Sequence, residues 1–137
     1  MINPQNILFI DEDNLQTNTR AQLLHEMRDH NVDVVDSLEE VKELYTEDRY
    51  DIVIIDFVKD FGVESLKYID SVNPAQKMIT ISADEAYSEQ KGCQYCVSSH
   101  RRRRLIPPFS FPELVSLIEN FDLTTCVHKE EFQSIPS

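Results

Sequence analysis

Asp51-Ile52-Val53-Ile54-Ile55-Asp56-Phe57-Val58 is the stretch that decides the fold. Its consecutive branched apolar residues show no alternation of polarity, so the strand they predict is buried on both faces, like the central strand of a helix-covered parallel sheet. The apolar run ends in an acid, Asp56. In open α/β sheets ligands bind beyond the carboxyl ends of the strands, which makes a carboxylate delivered there a candidate for chemistry. The simpler reading is a loop acid that caps the following helix.

Toward the amino terminus, Asn6-Ile7-Leu8-Phe9-Ile10 is a second apolar run that empties into Asp11-Glu12-Asp13-Asn14, as a buried strand opens into a loop. Leu15, Leu23, Leu24 and Met27 then predict the inward stripe of a helix reaching about His30, with Asp13 and Gln16 resembling a capping box. Val32, Val34 and Val35 predict a short strand. Ser37-Leu38-Glu39-Glu40 is a capping box opening a helix with Val41, Leu44 and Tyr45 inward.

Toward the carboxyl terminus, a loop through Gly62 precedes Val63, Leu66 and Ile69, a short helix that ends before Asn73-Pro74. Lys77 to Ser82 reads as a strand whose exit carries a hydroxyl, Ser82, and a weaker helix follows through Tyr87 toward Gly92. Leu105 to Phe109 leads into Ser110-Phe111-Pro112-Glu113, another capping box, with Leu114, Leu117, Ile118 and Phe121 inward. Periodicity fades at Asp122, so the reading is one domain over residues 1–121 and a tail over 122–137.

Alternating strands and helices specify an α/β fold, a doubly wound sheet of five parallel strands. Right-handed crossovers place the exits of the first, third and fourth strands on one edge, so Asp11, Glu12, Asp56 and Ser82 are expected in one cleft. Converging carboxylates repel one another, and a hard divalent cation with oxygen ligands, Mg2+ in the cytosol, relieves that repulsion. A strand-end carboxylate beside such a cation is a nucleophile for a phosphoryl group. The same acids would repel a flavin phosphate placed after the first strand.

Composition narrows the function. The 137 residues carry 25 acidic and 13 basic side chains, a formal net charge of -12, which argues against nucleic acid as a partner. No apolar run spans a bilayer and no secretory signal is evident at Met1, so the expectation is a cytoplasmic protein with no membrane association. Three cysteines suit a reducing compartment.

Ile-Leu-Phe-Ile-Asp-Glu-Asp-Asn, Asp-Ile-Val-Ile-Ile-Asp, Ile-Thr-Ile-Ser-Ala-Asp and Pro-Pro-Phe-Ser-Phe-Pro-Glu-Leu together resemble the successive landmarks of a response-regulator receiver domain, over about residues 6–121. The resemblance implies a flavodoxin-like sandwich in two-component phosphorelay signalling. It implies a histidine kinase or phosphotransfer protein upstream, a downstream signalling protein as output, and no enzymatic turnover or attached DNA-binding domain; a homodimer is left open. Asp56 matches the phosphoacceptor, Asp11 and Glu12 the acidic pair that binds Mg2+ with Asp56, Val58 the metal-binding carbonyl, and Ser82 the switch hydroxyl. The sequence departs from the family at Pro107, where a phosphoryl-contacting lysine belongs, at Arg104, which stands at the switch aromatic, and at Glu12, where aspartate is commoner. An alternative register makes Tyr95-Cys96-Val97-Ser98-Ser99 the fifth strand and His100 to Arg104 an insertion.

Three other readings compete. A pseudo-receiver would bind a partner without phosphoryl transfer. Asp11-x-Asp13 also begins haloacid-dehalogenase-type phosphatases, but there the order of later site residues differs from Asp56 followed by Ser82. Cys93, Cys96 and His100, with Cys126 or His128, have the chemistry of zinc ligands, although one CxxC is more simply a pair of unligated thiols. Arg101 to Arg104 reads as a solvated loop on an acidic protein.

Overall fold

Apolar runs that cannot be solvated on either face pair with one another here as a parallel sheet. A computed structural model describes residues 4–11, 15–46, 48–56, 60–81 and 102–121. The strands are β1 (Asn6–Ile10), β2 (Asn31–Val35), β3 (Ile52–Asp56), β4 (Lys77–Ile81) and β5 (Arg102–Leu105), in the order β2-β1-β3-β4-β5. The helices are α1 (Leu15–Arg28), α2 (Leu38–Leu44), α3 (Asp60–Val72) and α4 (Phe111–Glu119). This is the doubly wound parallel α/β sheet that the sequence predicts. The helix expected near Tyr87 and the tail over 122–137 lie outside the described residues.

Period-two alternation sorts the strand side chains into two layers. Ile7, Phe9, Ile52, Ile54, Ile79, Ile81 and Leu105 pack with Leu24 of α1 and Leu114, Leu117 and Ile118 of α4. Leu8, Ile10, Val53, Ile55 and Met78 pack on the other side with Val41 of α2 and Leu66 and Ile69 of α3. The central strands β1, β3 and β4 are therefore covered on both faces, and each fully buried aliphatic side chain contributes about 1.5–3 kcal/mol relative to exposure.

Capping fixes the helix starts. Ser110 accepts from the Glu113 amide while the Glu113 carboxylate accepts from the Ser110 amide, closing the predicted box at α4. At α2, Ser37 accepts from the Glu40 amide, but Glu40 reaches one residue further back, to the Asp36 amide. Such caps are each worth about 1 kcal/mol.

The structure corrects four sequence readings. Met27 is 65% exposed rather than inward. The α1 stripe instead runs from buried Thr17 to buried Leu24, and a polar residue at its start does not register in an apolar periodicity. Helix α3 starts at Asp60 and so contains Gly62 rather than following it.

The fifth strand is Arg102–Leu105, with Ile79 paired to Arg103 and Ile81 to Leu105, which overturns the register that made Tyr95 to Ser99 the strand; those residues lie outside the described ones. Nor is the arginine run a solvated loop. Arg103 is buried on the Leu105 face, its guanidinium 4.5 Å from the centre of the Phe121 ring and donating to the Phe121 carbonyl at 2.9 Å. A long apolar stem and a planar cation that stacks on an aromatic face allow an arginine to occupy such a place.

Helices α1 and α4 lie side by side and touch at both ends. Near their starts, the Arg20 guanidinium lies over the Phe109 ring, 4.5 Å from its centre. At their far ends, Arg28 donates through Nε and Nη2 to the two oxygens of Glu119. Fully buried His30 receives the Gln5 amide on Nδ1 at 3.1 Å, which requires the proton on Nε2, and that nitrogen donates to Glu119 at 2.9 Å.

Candidate functional site

Asp11 and Asp56 follow from the way parallel strands end. β1 and β3 are hydrogen-bonded neighbours with Ile10 opposite Ile55, so the next residue of each chain is an aspartate at the carboxyl edge. Adjacent strands run about 4.7–4.9 Å apart, which brings the two residues within reach of one small ion. Alternation continued from Phe9 and Ile54 puts both on the α1 and α4 side of the sheet.

Contacts agree with that placement. The Asp11 amide donates to the Val35 carbonyl at 3.1 Å, holding the chain against β2 as it leaves the strand. Asp11 is only 4% exposed, and its Oδ2 accepts from the Thr17 hydroxyl on α1 at 2.5 Å. A charge-assisted bond of this kind fixes the carboxylate and stabilises its ionised form. Asp56 is half-buried at the end of β3 and its partner across β4 is Ile81.

Of the other sequence-predicted residues, Glu12, Val58 and Ser82 lie outside the described residues, as do Arg101 and the possible zinc ligands Cys93, Cys96, His100, Cys126 and His128. Arg104 pairs with Thr80 along β5, and Pro107 follows two residues past the strand's end, joined to Pro108 by a cis peptide bond. Phe109 then carries the chain to the Ser110 cap of α4. Among the described residues no three His, Cys, Asp or Glu side chains converge on a metal position. The pair Asp11 and Asp56 supplies anionic oxygen donors alone, a set that suits a hard cation such as Mg2+ and disfavours a soft one.

Thr17 and Arg20 are absent from the sequence reading. The signal that would have found Thr17 is a hydroxyl in the first turn of a helix that begins four residues after a strand-end aspartate; for Arg20 no comparable signal exists.

A groove of about 610 Å³ lies at the opposite edge, where the strands begin, lined by Gln5, Asp48, Tyr50, Asp51, Gln76 and Lys77. Its polar groups serve the fold. Buried Gln76 donates to the Tyr50 and Asp51 carbonyls and accepts from the Tyr45 hydroxyl at 2.6 Å. The Tyr50 hydroxyl, pushed well above its usual range by burial and by its bond to Asp33, stays protonated. No helix among the described residues is long and apolar enough to cross a membrane.

No family model matches the sequence, and no curated protein is significantly similar to it. Solved structures are similar in fold. A two-component response regulator of the LuxR family from Aurantimonas shares 17% identity at a TM-score of 0.73, over 97% of this chain and 96% of that one. A CheY-like receiver domain from Methanospirillum hungatei shares 16% identity at 0.63, over 87% and 94%. The receiver domain of a sensor histidine kinase from Pseudomonas aeruginosa, solved with magnesium coordinated in its active-site cleft, shares 20% identity at 0.63, over 89% and 100%. The chain therefore has the flavodoxin-like fold of response-regulator receiver domains.

Proposed function

We propose that the chain is a receiver module of two-component signalling that accepts a phosphoryl group on Asp56 and acts through a downstream protein. The observation that carries this reading is the placement of Asp11 and Asp56 side by side on one face of the carboxyl edge, with Asp11 fixed by Thr17. The magnesium held by the Pseudomonas receiver domain supports a cation at the equivalent edge here. Asp11 and Asp56, together with Glu12 and the Val58 carbonyl as the resemblance implies, would hold Mg2+, which supplies charge compensation for phosphoryl oxygens when bound.

In the proposed reaction an Asp56 carboxylate oxygen attacks phosphorus, the bond from phosphorus to the donor breaks, and the donor leaves as imidazole from a histidine kinase or phosphotransfer protein. The product is an acyl phosphate on the chain itself. The group is accepted once rather than turned over, which separates this reading from a phosphatase. Thr17 donates to Asp11 and thereby favours its ionised form.

One observation favours the pseudo-receiver as a second reading: Pro107 carries no cation where the family has a lysine. Losing one charge-stabilising donor from a preorganised site slows a step on the order of 100- to 1000-fold. The expected result with acetyl phosphate and Mg2+ is slow, incomplete addition of one phosphoryl group, absent in Asp56→Asn, as read by intact mass. No addition from acetyl phosphate or from any histidine kinase would leave the pseudo-receiver.

A further inference from the structure

The proposed site is rich in negative charge, and phosphoryl transfer brings more. Compensation requires a cation that is close, mobile enough to engage an arriving anion, and not already neutralised by a carboxylate. Arg103 does not qualify, being buried against Phe121 and hydrogen-bonded to its carbonyl.

Arg20 meets each requirement. It lies three residues after Thr17 on α1, so the two residues are neighbours on the helix surface, and Thr17 touches the Asp11 carboxylate. Side chains of a helix lean toward its amino terminus, which for α1 is the end at the carboxyl edge of the sheet. The Arg20 side chain is half-buried on the face shared by Asp11, Asp56 and α4. Its guanidinium rests on Phe109, the second residue after Pro107 in the segment joining β5 to α4. Among the described residues Arg20 has no carboxylate partner, in contrast to Arg28 and Arg49, which pair with Glu119 and Asp33.

We propose, resting on the phosphoryl-acceptor reading above, that Arg20 is the anion-binding cation of this site, held in reserve on the Phe109 ring and transferred to the oxygens of a phosphoryl group at Asp56. An aromatic face suits this role because it stabilises a guanidinium without supplying a counter-charge that the anion would have to displace. Arginine suits it because its planar fork binds two phosphoryl oxygens at once. The cation thus comes from the first helix rather than from the loop after the fifth strand.

The test compares the wild type with Arg20→Gln and Arg20→Lys, with thermal melting confirming that each folds. Labelling of Asp56 by acetyl phosphate and Mg2+ is expected to slow on the order of 100-fold in Arg20→Gln and to recover in part in Arg20→Lys. A second readout follows the Arg20 side-chain Nε–H signal by NMR while fluoroberyllate and Mg2+ are added. A shift in the wild type that is lost in Asp56→Asn supports the transfer. A wild type that labels at the same rate as Arg20→Gln, with an unmoved Arg20 signal, overturns the inference and leaves the phosphoryl-acceptor reading standing. A wild type that neither labels nor binds fluoroberyllate overturns both.

Discussion

Two arginines on α1, about 12 Å apart along the helix axis, show how differently one side chain is used. Arg28 donates two bonds to Glu119, a carboxylate whose side chain is 5% exposed and which also receives His30. Arg20 lies on the Phe109 ring. The first arrangement closes a polar cluster in which each partner fixes the next, whereas the second lets a cation leave at little cost. The helix pair is thus tied firmly at the end away from the proposed site and loosely at the end beside it.

That contrast predicts unequal costs. Glu119→Ala should be the most damaging change, because the buried His30 Nε2 proton loses its acceptor, and an unsatisfied buried donor costs about 1–3 kcal/mol. Urea unfolding checks it, and a loss no larger than that of an exposed-site substitution would show that the far end is not the tighter one.

Acid should loosen the same end selectively. The two hydrogen bonds from Arg28, with His30 adding, hold the Glu119 carboxyl below its ordinary value of 4.5, although burial opposes them. A carboxyl with a depressed folded pKa stabilises the fold above its unfolded pKa, and that stabilisation disappears as pH falls through the folded value. The urea midpoints of the wild type and Glu119→Gln should therefore differ near neutrality and converge as pH falls from about 5 toward 3. A gap that stays constant over this range would remove Glu119 as the acid-sensitive link.

Arg20→Gln should give the smallest stability change, about 0.5–1 kcal/mol for a partly exposed cation over a ring. If instead it destabilises as much as Glu119→Ala, Arg20 is a structural clamp, and the contrast between the two ends fails.

How much of this was legible in the sequence depended on whether burial was achieved by apolar or by polar groups. The strands at 6–10, 52–56 and 77–81 were readable because runs of Ile, Val, Leu and Met have few other places to go. Ser37 and Ser110 announced their helices because a cap is a local device whose residue types are few. Asp11 and Asp56 were readable as strand-end acids, and their meeting followed from parallel topology. His30 and Arg103 were missed for one shared reason: each is a polar side chain buried by virtue of a partner distant in sequence, namely Glu119 and Phe121. No local periodicity encodes such a partner. Met27 was misplaced by the converse error, since an apolar residue in roughly helical phase need not face the core.

The arginines of β5 carry a further consequence, for how copies of the chain meet. Among the described residues β5 ends the sheet, pairing only with β4 and leaving the peptide groups of its other side without a strand beside them. A bare rim of this kind is a template on which a second molecule can extend the sheet, the first step of strand-wise aggregation. Here the rim strand reads Arg102-Arg103-Arg104-Leu105, and like-charged residues set opposite one another on paired strands destabilise the pairing. A basic terminal strand on an otherwise acidic chain disfavours edge-to-edge pairing with a second copy of itself.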